Sequence, residues 1–255
     1  GVGVLRVAAA RALKLELRLQ AHARPAGVGL RLAVIDIAHR RGLLAGGITL
    51  LALARLRRGD HRRVDDEVTT PPPRNAWLVP TTVVFGALVA LERSTHSAHV
   101  LLVILLVVMV GLLGVLSAID IDVHRLPNSF TRPMALGTAV VLTALAALTG
   151  DWASWRRALL AGLLLGVVYL VLAFLGGATG MGMGDVKLAP TLGMLLGQLS
   201  WSSVLIGTAA AFIAGGVFAA ALLLLGRADR KTAMPFGPAM ALGAVLVWVL
   251  PPLTL

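Results

Sequence analysis

From residue 76 to the C-terminus the chain is a succession of apolar runs separated by short polar breaks. The runs fall at about 76–91, 98–119, 133–149, 158–179, 186–200, 203–225 and 235–250. An apolar helix of roughly 17–25 residues matches the ~30 Å hydrocarbon core of a bilayer at ~1.5 Å per residue. Inside that core every backbone N–H and C=O must be paired within the protein, which leaves helices or closed barrels. Continuous runs, rather than alternating ones, select helices. Composition agrees: 58% of residues are hydrophobic and only 14% charged, against roughly 45–50% and about 25% in soluble domains. The expected fold is therefore all-α, a polytopic transmembrane helical bundle of about six to seven spans. The fifth and seventh runs are short and contain Pro190 and Pro238, which predicts tilted or partly broken spans.

The 255 residues divide in two by composition. Residues 1–75 hold 14 of the 23 Lys and Arg and 6 of the 12 Asp and Glu, and so carry +8 of the net +11. They are read as a basic N-terminal segment flanking a membrane unit that spans 76–255. Beside a bilayer, such Arg-rich stretches mark a cytoplasmic flank or contact anionic headgroups. Membrane lipid is thus an expected partner and nucleic acid is not. Leu13 to Gln20 alternates with a strand period, and Leu43 to Ala54 is apolar but too short for a span. No uninterrupted apolar core of a secretory signal stands near Gly1. Thr69-Thr70-Pro71-Pro72-Pro73 reads as a stiff linker. There is no cysteine, which excludes disulfides, thiol nucleophiles and Cys-ligated zinc.

With the basic flank in the cytoplasm the runs alternate across the membrane. Arg125, Arg132, Lys187, Arg227, Arg230 and Lys231 then fall inside, and Arg93, Arg156 and Arg157 outside; this is the sense the positive-inside bias prefers. Trp77, Trp152, Trp155, Trp201 and Trp248 stand near the ends of the runs, as an interfacial belt would place them. A multi-pass protein of the inner (cytoplasmic) membrane is expected.

Beyond residue 75 only six carboxylates remain: Glu92, Asp120, Asp122, Asp151, Asp185 and Asp229. Glu92, Asp151 and Asp229 lie in polar connections. Asp120 and Asp122 close the second run, and Asp185 follows the glycine-rich break after the fourth. A carboxylate near bilayer depth costs a few kcal/mol or more and marks a functional site by default. The second and fourth runs both travel outside to inside, so Asp120 and Asp185 are expected at the same cytoplasmic end. Two adjacent carboxyls cannot both ionise cheaply and share a proton, the arrangement with which an aspartic protease activates water and polarises a carbonyl. Asp185 opens a helix beside Lys187, where the dipole favours the ionised form, and Asp120 closes one; this predicts Asp185 as base and Asp120 as proton carrier. Gly182 and Gly184 offer positive φ and close backbone approach around a wet cavity.

Three stretches are similar to a known family. Ala118-Ile119-Asp120-Ile121-Asp122-Val123-His124-Arg125-Leu126-Pro127-Asn128 resembles the first catalytic motif of the prepilin peptidases, the type IV leader peptidase family. Gly182-Met183-Gly184-Asp185-Val186-Lys187-Leu188 resembles its GxGD motif, shared with presenilin-type intramembrane proteases, and Met234 to Gly243 resembles its Pro-Phe-Gly-Pro stretch. The resemblance implies an aspartic endopeptidase that removes the basic leader of prepilins or pseudopilins at the cytoplasmic face. Asp120 and Asp185 stand at the catalytic positions, with Gly182, Gly184, Lys187 and Asp122 in support. It further implies, in bacterial members, a cysteine-bound zinc domain associated with N-methylation; this chain has no cysteine, so methyltransferase activity is expected to be absent. No metal and no cofactor is expected, since His124 would need converging ligands and His96 and His99 fall at the opposite face. Asp122 has a bland role as a turn cap, Lys187 as a snorkelling anchor, and Pro235 to Pro238 as a structural entry to the last span. The rival functions are a proton-coupled transporter that uses the same carboxylates, and an inactive pilus or secretion assembly protein. Nothing in the sequence speaks to oligomeric state.

Overall fold

A computed structural model describes residues 40, 43–51, 78–96, 100–123, 126–176, 181–226 and 235–250. The alternating stretch at 13–20, the linker at 69–73, His99, His124, Arg125 and the basic connection 227–234 lie outside the described residues. Those described are helical apart from short connections, with no strand among them. A helical segment at 43–51 (α1) precedes α2 (Leu78–His96), α3 (Val100–Val123), α4 (Asn128–Thr149), α5 (Trp152–Gly176), α6 (Met183–Leu199), α7 (Trp201–Leu224) and α8 (Gly237–Val249). Helices α3, α4, α5 and α7 are long and apolar enough to cross a membrane, while the apolar part of α2 and all of α8 are shorter. The molecule is a helical membrane bundle, and α2 to α8 correspond one for one with the seven apolar runs.

Polar caps set the ends where hydropathy alone is blind. Gly150 takes a left-handed φ of 74° and sends its N–H back to the Ala146 carbonyl, closing α4, as an αL glycine commonly does. Asp151 then accepts the Ser154 N–H at 3.0 Å, so α5 starts at Trp152 and takes in Arg156 and Arg157, which hydropathy had left in the loop. Ser200 accepts the Ser203 N–H at 2.9 Å and starts α7. The expected break at Pro190 does not occur: α6 continues through it. Its ring lies against Gly166 of α5, where a Cβ would stand 3.0 Å from Pro190 Cγ. Pro238 sits in the first turn of α8, where a missing N–H costs nothing.

The deepest helix is α3, whose Leu106, Leu113, Leu116 and Ile119 are wholly buried against α2, α4 and α8. The short α1 also packs on it. Gly111 lacks the Cβ that would meet the Ala45 carbonyl oxygen at 2.8 Å, and Thr49 Oγ1 donates to the Gly111 carbonyl at 3.2 Å. A piece of the chain ahead of residue 76 thus rests on the membrane bundle. Helix α7 is the least covered, burying only Val204, Gly207 and Ala211, with Ile213, Val217 and Phe218 exposed as lipid-facing residues.

Successive helices run in opposite directions. At one end meet the close of α3, the start of α6 and the start of α8; at the other, Trp155 Nε1 of α5 donates to Thr143 Oγ1 of α4 at 2.9 Å. There Arg157 caps α6, its Nε donating to the Gly197 carbonyl at 2.6 Å and its Nη2 to those of Gln198 and Leu199 at 3.0 and 3.2 Å. Trp152 and Trp201 are exposed at that end, as a belt requires. Trp248 corrects the belt expectation: it is wholly buried, because α8 is enclosed by α2, α3, α6 and α7.

Candidate active site

Asp120, in the last turns of α3, and Asp185, in the first turn of α6, are each only 5% exposed. Their carboxyls lie within electrostatic reach of each other, so the topology brings together two acids 65 positions apart. Two local features make the approach feasible. The chain leaves α3 through Leu126 and Pro127, and the extended Pro127 (φ −68°, ψ 135°) turns it into α4. Leu126 then lies across Gly184, where a Cβ would stand 3.0 Å from Leu126 Cβ and Cγ and 3.1 Å from its backbone N. Any side chain at 184 would lever the two motifs apart.

Of the two glycines, Gly184 therefore acts by absence of bulk. Positive φ, expected of Gly182 and Gly184, is found among the described residues only at Gly150 and Gly226. Gly182 is in the extended region (φ −65°, ψ 142°) and its carbonyl accepts the Asp185 N–H at 3.0 Å, starting α6. A Cβ there would meet Asp185 Oδ2 at 3.4 Å, an ordinary contact.

The two acids have different partners. The Gly237 N–H, at the start of α8, donates to Asp120 Oδ2 at 2.9 Å in a buried hydrogen bond. A bond of this kind to an ionised group is worth about 1.5–3 kcal/mol. Asp185 Oδ1 is buried with no hydrogen-bond partner among the described residues. Lys187 is exposed while Asp185 is buried, since two residues turn a helix by roughly 200°. Asp122 is half-buried, on the side of α3 turned away from Asp120 by the same rotation.

Two residues have a part at the site that the sequence does not disclose. Tyr169 of α5 is 2% exposed and close enough to Asp185 to interact with its charge; the signal is the chain's single tyrosine in an otherwise non-polar run, since a buried phenol seeks a polar neighbour. Gly237 was read as structural, yet it supplies a donor to Asp120. Among the described residues no three His, Asp or Glu converge as a metal site would require.

The fold and site thus define a helical membrane bundle with two buried carboxyls within electrostatic reach of one another at one end. Residues 107–220, which include both acids, match the model of the type IV leader peptidase family. Over that stretch, which is less than half of its length, the chain is similar to this family. Among curated proteins it is 30% identical over 136 residues to a prepilin leader peptidase/N-methyltransferase of Aeromonas salmonicida (strain A449), covering 51% of this chain and 44% of that protein. It is 33% identical over 135 residues to the protein of that name in Stutzerimonas stutzeri (52% and 45% covered). With that of Burkholderia pseudomallei (strain 1026b) it shares 34% over 132 residues (50% and 40%). The chain thus spans less than half the length of the curated relatives it matches. No solved structure matches it significantly.

Proposed function

We propose that this chain is an aspartic endopeptidase that hydrolyses the leader peptide of a prepilin or pseudopilin at the cytoplasmic face of the inner membrane. The observation that carries the reading is the buried pairing of Asp120 with Asp185 inside the family-matched stretch. Two carboxyls so placed hold one proton between them. The hydrogen bond from Gly237 stabilises a carboxylate on Asp120, whereas Asp185 Oδ1 has no donor among the described residues; the proton is therefore assigned to Asp185. This reverses the assignment drawn from helix dipoles, because a donor at 2.9 Å acts on one atom while the dipole is spread over a turn.

In the proposed reaction Asp120 accepts a proton from water as its oxygen attacks the scissile carbonyl carbon. Asp185 donates its proton to the carbonyl oxygen, giving a tetrahedral gem-diol. The C–N bond then breaks, the nitrogen takes the proton held on Asp120, and Asp185 recovers one from the gem-diol hydroxyl. The substrate class is a cationic leader followed by an apolar helix lying in the bilayer, which suits acids near the basic face. Gly184 keeps α6 against the Leu126 turn, the Gly182 carbonyl starts α6 by accepting the Asp185 N–H, and Lys187 and Asp122 are assigned to the surrounding surface. We further propose that this chain lacks the N-methyltransferase activity in its relatives' names. With no cysteine it offers no thiolates for a Cys-based zinc site, and no step here runs through a metal.

The test uses the reconstituted chain and a synthetic peptide with a Lys-rich leader ahead of an apolar helix. Leader removal should be abolished, by at least about 10³-fold, in Asp120→Asn and in Asp185→Asn. Cleavage by both variants at the parent rate would sink the peptidase reading.

A further inference from the structure

We infer that Phe236 and Gly237 form a positioning element for Asp120: a three-ring aromatic clasp on α5 and α7 holds the start of α8 so that one backbone N–H is fixed on the carboxylate. The inference rests on the proposed peptidase reading for its catalytic consequence, though not for its geometry. Positions 235–238 lie beyond the stretch 107–220 that matches the family.

Four observations converge. The Gly237 N–H reaches Asp120 Oδ2 at 2.9 Å across 117 residues of sequence. The carboxyl occupies the space that a side chain at 237 would need, since a Cβ would stand 2.8 Å from Oδ2, 3.2 Å from Cγ and 3.4 Å from Asp120 Cβ. Any side chain there would push the carboxyl away from the N–H. The preceding residue is clamped: the Phe236 ring centroid is 5.2 Å from that of Phe212 and 6.4 Å from that of Tyr169, and those two are 5.7 Å apart. All three pairs are tilted, a favourable geometry for aromatic contact. Finally, the Phe236 ring presses on Gly215 of α7, where a Cβ would stand 2.5 Å from Cε2 and 2.9 Å from Cδ2.

The chemistry follows from helix termini. The first N–H groups of a helix have no intrahelical acceptor. In α8 the next residue is Pro238, which has none to give, and the N–H of Gly237 goes to Asp120. A preset donor costs no reorganisation when charge changes on the carboxylate during proton transfer. Because Tyr169 also borders Asp185, the same clasp touches the neighbourhood of both acids. Helix α8 thereby becomes part of the site, and the Pro-Phe-Gly-Pro stretch gains a role beyond entry into the membrane.

The test follows the full chain, labelled with ¹³C-aspartate, in nanodiscs. The infrared carboxylate band of Asp120 is isolated as the difference from Asp120→Asn, and cleavage of the Lys-rich-leader peptide is measured alongside. Gly237→Ala and Phe236→Leu should displace that band and lower kcat about tenfold to a hundredfold with KM within about threefold. Tyr169→Ala should do the same, and Tyr169→Phe, which restores the ring, should recover the parent band. A merely structural clasp would lower the melting temperature and leave band and kcat in place. An unmoved band and unchanged kcat in Phe236→Leu, with the variant folded by circular dichroism, overturn the inference; this milder change decides the matter even where Gly237→Ala does not fold. Cleavage by Asp120→Asn at the parent rate would instead defeat the peptidase reading, and the infrared arm would still decide the hydrogen bond.

Discussion

Gly193→Ala isolates what holds α6, and with it Asp185, in place. Gly193 and Gly197 are spaced as a small-xxx-small pair, the pattern that lets membrane helices approach backbone to backbone. A Cβ at 193 would stand 2.6 Å from the Ala161 carbonyl oxygen, 2.8 Å from Gly162 Cα and 3.0 Å from Ala161 C. All three atoms are backbone, so no rotamer change relieves the clash. Reaching an ordinary 3.4 Å contact requires the seam to open by about 0.8 Å. A gap of that size forfeits a quarter to a half of each dispersion contact it crosses. In a bilayer, packing of this kind is a leading source of helix association. Overpacking costs about 1–3 kcal/mol, and the better helix propensity of alanine returns ~1 kcal/mol, which leaves a net loss of up to about 2 kcal/mol.

The control is Gly137→Ala in α4, the same chemical change where a Cβ meets nothing within 4 Å. It should be neutral or stabilising by up to ~1 kcal/mol. Reversible SDS-induced unfolding in mixed micelles, followed by far-ultraviolet circular dichroism, gives both values. Gly193→Ala should also lower kcat, because Asp185 sits on the same helix only about 12 Å along its axis. A Gly193→Ala protein as stable as the parent would refute the backbone-contact account of the α5–α6 seam.

Arg157→Ala removes the fork that satisfies the last carbonyls of α6 and should cost about 1–3 kcal/mol in the same unfolding assay; Arg157→Lys should recover part of it, since a point charge cannot reproduce the fork. Asp151 lies in the connection between α4 and α5, and the Ser154 hydroxyl first, then the Ser154 backbone N–H, hold its carboxyl below the usual carboxylate value. A depressed folded value means that its cap contributes above the unfolded value and is lost as pH falls through the folded one. Asp151→Ala should therefore cost about 1 kcal/mol at pH 7, and the gap between variant and parent should close in titrations taken toward pH 3.

What the sequence disclosed, and what it hid, divides along a physical line. The seven apolar runs became α2 to α8 because bilayer length and hydropathy are properties of side chains in order. Asp120 and Asp185 could be paired because alternating spans put both at one end, and a buried carboxylate is conspicuous by its type. Helix starts were hidden where one capping side chain decides them: Asp151 draws Arg156 and Arg157 into α5. Gly184 was noticed for the wrong reason, since its value lies in yielding room to Leu126, a neighbour in space 58 positions away. The α1 segment was too short to register as a span, yet Gly111 accepts it against α3. The donor to Asp120 was the least legible of all. It is a backbone N–H, which every residue except proline possesses, and only the docking of α8 singles out the one at Gly237. Reading such a site from sequence thus requires asking which helix start can reach a buried acid, and then whether the residue there is small enough to let it.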